Sequence, residues 1–107
     1  MSNIKLVDIA STAVDVEGTA ENMDGGAAVV SITATSYGTD GKVVLKASAD
    51  GVIFTTLEDA ATTSGLAEYS EDIIFNLDRI AQGWQFRVDF EITTGTATDV
   101  KVFLGTN

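Results

Sequence analysis

The feature that most constrains the fold is a strict alternation over Trp84-Gln85-Phe86-Arg87-Val88-Asp89-Phe90-Glu91-Ile92-Thr93. Trp84, Phe86, Val88, Phe90 and Ile92 fall on one face of an extended strand, while Gln85, Arg87, Asp89, Glu91 and Thr93 fall on the other. A helix would scatter the same residues around its circumference. The segment therefore predicts a half-buried strand with a wet outer face, and it places Trp84 in the core.

The same period recurs along the chain. Ala28, Val30, Ile32 and Ala34 alternate with Val29, Ser31, Thr33 and Thr35 in a β-branched stretch. Val43, Leu45 and Ala47 share a face, as do Ile73, Phe75 and Leu77 within an extended stretch over 67–77. The pairs Asp40-Gly41 and Asp50-Gly51 suit tight turns, because both residues tolerate positive φ. They predict hairpins on either side of 43–48, with a further strand over 52–57. Thr94-Gly95-Thr96-Ala97 predicts a turn joining the long strand to 99–104, making the C-terminal third a hairpin. Residues 4–16 give one or two strands, 17–26 a mobile acidic loop, and 78–83 a helical turn or loop. About eight short strands with hardly any helix predict an all-β, antiparallel sandwich or jelly roll, formed as one domain over 1–107.

Composition agrees with a folded domain. Hydrophobic residues make up 45% of the 107 residues and charged residues 21%, enough apolar surface to offset chain entropy. No apolar run approaches the roughly 18 residues of a membrane helix. The start, Met1-Ser2-Asn3-Ile4-Lys5, lacks the basic and apolar segments of a secretory signal, so synthesis in the host cytoplasm without a signal peptide is expected. Sixteen acidic against six basic residues leave a net charge of −10, which repels nucleic-acid phosphates and anionic lipid. No nucleic-acid or membrane partner is expected.

The absence of histidine and cysteine excludes a Ser/His/Asp arrangement, thiolate chemistry and a typical zinc site. Carboxylates remain. Asp89 and Glu91 share a strand face about 7 Å apart, a spacing that glycosidase pairs occupy, but Arg87 beside them reads as a counter-charge on a solvated face. Asp15, Glu17, Glu21 and Asp24 cluster without the spacing of a calcium-binding EF-hand loop. No enzyme activity, cofactor or metal is expected. Apolar residues on both strand faces, at Val43 with Val44, Ile73 with Ile74, and Phe103 between Val102 and Leu104, point to a second cover such as a neighbouring subunit. The arm Ile4-Lys5-Leu6-Val7 is placed to extend a neighbour's sheet, and the lack of proline leaves edges unblunted. Ile4, Leu6, Val44 and Phe103 are the interface candidates. Tyr37 and Tyr69, near turns, are the candidates for stacking against a sugar.

The stretch Lys46-Ala47-Ser48-Ala49-Asp50-Gly51-Val52-Ile53-Phe54-Thr55-Thr56-Leu57, followed by Trp84 to Phe90 and a Gly-Thr turn, resembles small β-sandwich proteins of tailed-bacteriophage particles. The resemblance spans about 42–104. It implies a non-enzymatic virion protein of the capsid decoration or cement type, bound across subunits of the major capsid protein or another virion protein and assembled as a homo-oligomer, with a trimer favoured. Carbohydrate-binding jelly rolls share much of the pattern, although Phe54 stands where tryptophan is frequent among them. The alternative is therefore a glycan-binding or host-recognition module of a fibre.

Overall fold

A computed structural model describes residues 2–23, 28–77 and 84–106. Its strands are β1 (Ser2–Thr12), β2 (Val16–Glu17), β3 (Glu21–Asn22), β4 (Ala28–Thr33), β5 (Lys42–Ser48), β6 (Thr55–Thr56), β7 (Glu68–Tyr69), β8 (Ile73–Leu77), β9 (Gln85–Glu91) and β10 (Ala97–Thr106). Sheet A has the order β1-β10-β4-β8. In sheet B, β9 and β5 lie side by side, flanked by β2 and β3 on β9 and by β6 and β7 on β5. All pairings are antiparallel. The expected all-β sandwich is thus the observed fold.

The order has a simple logic. Taking β2 with β3, and β6 with β7, as two interrupted edge strands leaves eight strand positions. The first then pairs the eighth, the second the seventh, the third the sixth and the fourth the fifth. The chain is one long doubled ribbon wrapped around itself, the arrangement of a jelly roll. Its tip is a sequence-local hairpin: β5 pairs β6 across the Asp50-Gly51 turn, where Gly51 sits at φ +78.

Two predicted hairpins are therefore corrected. The long strand β9 belongs to sheet B and β10 to sheet A, so Ile92 to Thr96 is an arch between sheets. Asp40-Gly41 likewise joins β4 of sheet A to β5 of sheet B. There the Asp40 carboxylate accepts the backbone N–H groups of Thr93 and Thr94, tying the two arches together. Residues 52–57 shrink to a two-residue strand, and 67–77 divide into β7 and β8. The acidic stretch after β1 is not simply a loop, because Glu17 and Glu21-Asn22 pair with β9. Gly18 is required between them, since a Cβ there would collide with the carbonyl oxygen of Val88. Residues 24–27 and 78–83 lie outside the described residues.

The core is the space between the sheets. Val30, Ile32, Val100, Val102 and Leu104 enter it from sheet A, and Val43, Leu45, Phe86, Val88 and Phe90 from sheet B. Full burial of each contributes about 1.5–3 kcal/mol, most from the two phenylalanines. Trp84, although in phase with Phe86, is 42% exposed. It precedes the first residue of β9 at the end of the sheet, where its carbonyl accepts the Met23 N–H at 2.9 Å. The apolar stripe outruns the core it was expected to fill.

Candidate functional site

The outer face of sheet B carries the densest polar constellation. Register sets Lys42 opposite Glu91, Val44 opposite Asp89 and Lys46 opposite Arg87. The Arg87 guanidinium donates through Nε to Asp89 Oδ1 and through Nη2 to Oδ2, both at 2.9 Å. Lys46 Nζ lies 3.0 Å from the same Oδ2, and the Gly18 N–H donates to Oδ1. Arg87 also reaches Glu17 at 3.2 Å and sits 4.4 Å over the Phe54 ring, a cation–π contact. Lys42 pairs with Glu68 at 2.8 Å.

Burial of Asp89 disfavours its charge, yet the donors from Arg87, Lys46 and Gly18 outweigh it and hold the carboxyl below the usual range. Glu68 is lowered by its bond to Lys42, then by Ser64, and Lys42 is correspondingly raised. Both oxygens of Asp89 are thus engaged by cations. Asp89 and Glu91 sit beside Lys46, within 4 Å of each, rather than across an open groove. Arg87 is the counter-charge the alternation anticipated.

Beneath these side chains lies Val44, only 1% exposed although it points away from the inter-sheet core. The stems of its charged neighbours cover it. The pair Val43 and Val44 thus needs no neighbouring subunit, which corrects the choice of Val44 as a contact. Leu6 is corrected in the same way, being 4% exposed within the core, and Ile4 is partly buried against that core. Of the four interface candidates, Phe103 alone keeps part of an outer-face side chain in solvent, half-buried with the Lys5 ammonium 5.9 Å from its ring centre.

Phe103 belongs to the outer face of sheet A, where one cross-strand row runs Lys5, Phe103, Ser31, Ile74. Ile74 is 71% exposed, and Val29, in the adjoining row, is 42% exposed. Val52 and Ile53 project from the β5–β6 turn. That turn is pinned by Asp50, whose carboxylate accepts the N–H groups of Ile53 and Val52 and the Ser48 hydroxyl, holding its pKa down at about 2.

A cleft of about 520 Å³ opens beside β7, lined by Lys42, Thr62, Ser64, Glu68, Tyr69 and Glu71 among others. Neither tyrosine offers it a free ring. Tyr69 is buried against Phe75 with its hydroxyl donated to Asp59, and half-buried Tyr37 donates its hydroxyl to Asp72 at 2.9 Å. Burial, then the bond to Asp72, pushes the Tyr37 phenol well above its ordinary pKa. Thr62 and Tyr69 already spend their hydroxyls on Leu66 O and Asp59.

The acids that cluster in the sequence over 15–24 have other partners where they are described. Asp15 accepts the Ile92 N–H, Glu17 pairs with Arg87, and Asp24 lies outside the described residues. Among the described residues no group of three or more acidic side chains is placed to hold a metal ion. Sequence reading missed the partnership of β5 with β9. Its signal was charge of opposite sign at alternate positions, Lys42 and Lys46 against Asp89 and Glu91, separated by some forty residues. Comparisons of the chain with family models, curated proteins and solved structures found no match.

Proposed function

We propose that this chain is a non-enzymatic structural protein of the bacteriophage virion, acting as a capsid decoration protein that binds across capsid subunits. The observation that supports the reading best is the set of apolar side chains on the outer face of sheet A, Phe103 half-buried and Ile74 and Val29 open to solvent, on a sandwich whose other outer face is closed by its own ion pairs. Contact with a shell would remove those side chains from water, each 100 Å² of apolar surface contributing about 2.5 kcal/mol. Repetition over many copies adds those contributions without any chemical step. The jelly-roll order is one that capsid and lectin domains use, which supports a binding role at the level of analogy. The phage assignment rests on the resemblance of residues 46–57 and 84–90.

The test is electron microscopy of tailed-phage heads assembled without the chain and then mixed with it. Density at regular lattice positions, lost with Phe103→Asp, is the expected result. Heads left bare, with glycan binding through the cleft beside Tyr69, would transfer the function to host recognition.

A further inference from the structure

We infer that the free edge of β8 is a self-association edge, on which a second copy of this chain adds its own β8 antiparallel about a two-fold axis through Ile74. The inference goes beyond the virion reading and does not need it, since the contact belongs to the chain in solution.

Sheet edges invite pairing, and three of the four edges of this sandwich carry devices that oppose it. In sheet B the edges are pairs of two-residue strands, β2 with β3 and β6 with β7. In sheet A, β1 is broken by a bulge between Lys5 and Val7 and presents Lys5 and Asp8 on its outer face. The fourth edge is β8. Its five residues, Ile73-Ile74-Phe75-Asn76-Leu77, contain no charge, no proline and no bulge, and their register with β4 is unbroken. Among the described residues no strand pairs its other side.

Electrostatics selects the partner and its direction. Exposed Glu71 and Asp72 precede the strand. A parallel partner copy would set these acids beside their own duplicates, in a chain already at −10. The antiparallel copy sets Asp72 opposite Asn76 and Ile73 opposite Phe75, and keeps the two Asp72 carboxylates about 14 Å apart, beyond the screening length of about 8 Å. Placing the axis on Ile74 brings the most exposed apolar side chain of the strand against itself, whereas an axis on Phe75 would set it against Asn76. An antiparallel edge is self-complementary under a two-fold, so one surface serves both copies. The row Phe103, Ser31, Ile74 then continues across the axis into the second copy. Such a contact makes pairs, so the trimer implied by the resemblance would need another surface.

The chain lacks cysteine, which makes cross-linking a direct test. Facing positions of an antiparallel pair have Cα atoms about 4.5 or 5.5 Å apart, within disulfide reach. Air oxidation of the Ile74→Cys chain is expected to give a covalent dimer in several-fold higher yield than Ala10→Cys, an exposed site on the β1 edge. Sedimentation of the unmodified chain should show a concentration-dependent dimer that Ile74→Lys abolishes with its circular dichroism unchanged. Equal cross-linking at the two sites, a strictly monomeric chain at millimolar concentration, or a trimer unaffected by Ile74→Lys would each overturn the inference. Capsid density with no solution dimer would defeat this edge and leave the virion reading standing; a dimer with bare heads would do the reverse.

Discussion

The two outer faces of the sandwich solve the same problem in opposite ways. Each sheet turns some apolar side chains away from the core, Val44 on sheet B and Val29, Ile74 and Phe103 on sheet A. On sheet B, Val44 is sealed under Lys42, Lys46 and Asp89, and three of the six basic residues are gathered there to do it. On sheet A, Phe103 has Lys5 above its ring, and Ile74 is left in water. A closed face serves the stability of the chain, and an open one is free for a partner. Substitutions on the two faces should therefore differ in kind: at Val44 and Asp89 on sheet B they should change the free energy of unfolding, and at Ile74 on sheet A chiefly association.

The largest effect is expected from Asp89→Ala. It strips Arg87 and Lys46 of their shared partner on a largely buried face, and removing one member of such a group costs about 3 kcal/mol. Urea unfolding measures it, and a loss below half that figure would mean that the face is solvated rather than closed. Val44→Ala should follow at about 2 kcal/mol, the cost of two buried methyl groups and the space they leave. Phe54→Ala removes the ring under Arg87, for about 1 kcal/mol.

Titration tests the hydrogen-bonded ionisable groups as well. Asp89, Glu68, Asp50 and Asp40 all have folded-state pKa values lowered by hydrogen bonds. Their stabilisation is complete above the ordinary carboxylate values near 4 and is withdrawn as pH falls through the lowered ones, for Asp50 about 2. The thermal midpoint should hold level from neutral pH to about 5 and then drop, less steeply in Asp89→Asn. Tyr37 has the opposite sign. Its raised pKa stabilises the fold below about 10 and ceases to do so as pH rises, an alkaline loss that Tyr37→Phe should abolish.

How much of this was legible in the sequence depended on distance along the chain. The Asp50-Gly51 turn joins neighbours, and the hairpin expected there is present. The Asp40-Gly41 and Thr94-Gly95 turns have the same local chemistry, yet each leads across to the other sheet. Turn residues report backbone angles and carry no information about which sheet receives the next strand. Burial was misread for the same reason. Val44 and Ile74 are both apolar residues beside an inward-facing one, and the alternation treats them alike. What separates them is the cross-strand partner, Asp89 for Val44 and Ser31 for Ile74, fixed only once the doubled ribbon closes. Trp84 was misplaced by period alone, because phase gives the face of a strand and not where the core ends.

The smallest effect is the sharpest discriminator. Ile74→Ser and Phe103→Ser remove more apolar surface than Val44→Ala, so a count of hydrophobic atoms would rank them as more damaging. Ile74 already stands 71% exposed, and its loss should shift unfolding by no more than about 0.5 kcal/mol. Phe103, half-buried beneath Lys5, should cost somewhat more, about 1 kcal/mol through its cation–π contact and partial burial. Urea midpoints measured in dilute solution isolate this folding term from any association. A cost for Ile74→Ser equal to that of Val44→Ala would mean that the outer face of sheet A is also packed within the chain, and the distinction between a sealed and an open face would fall.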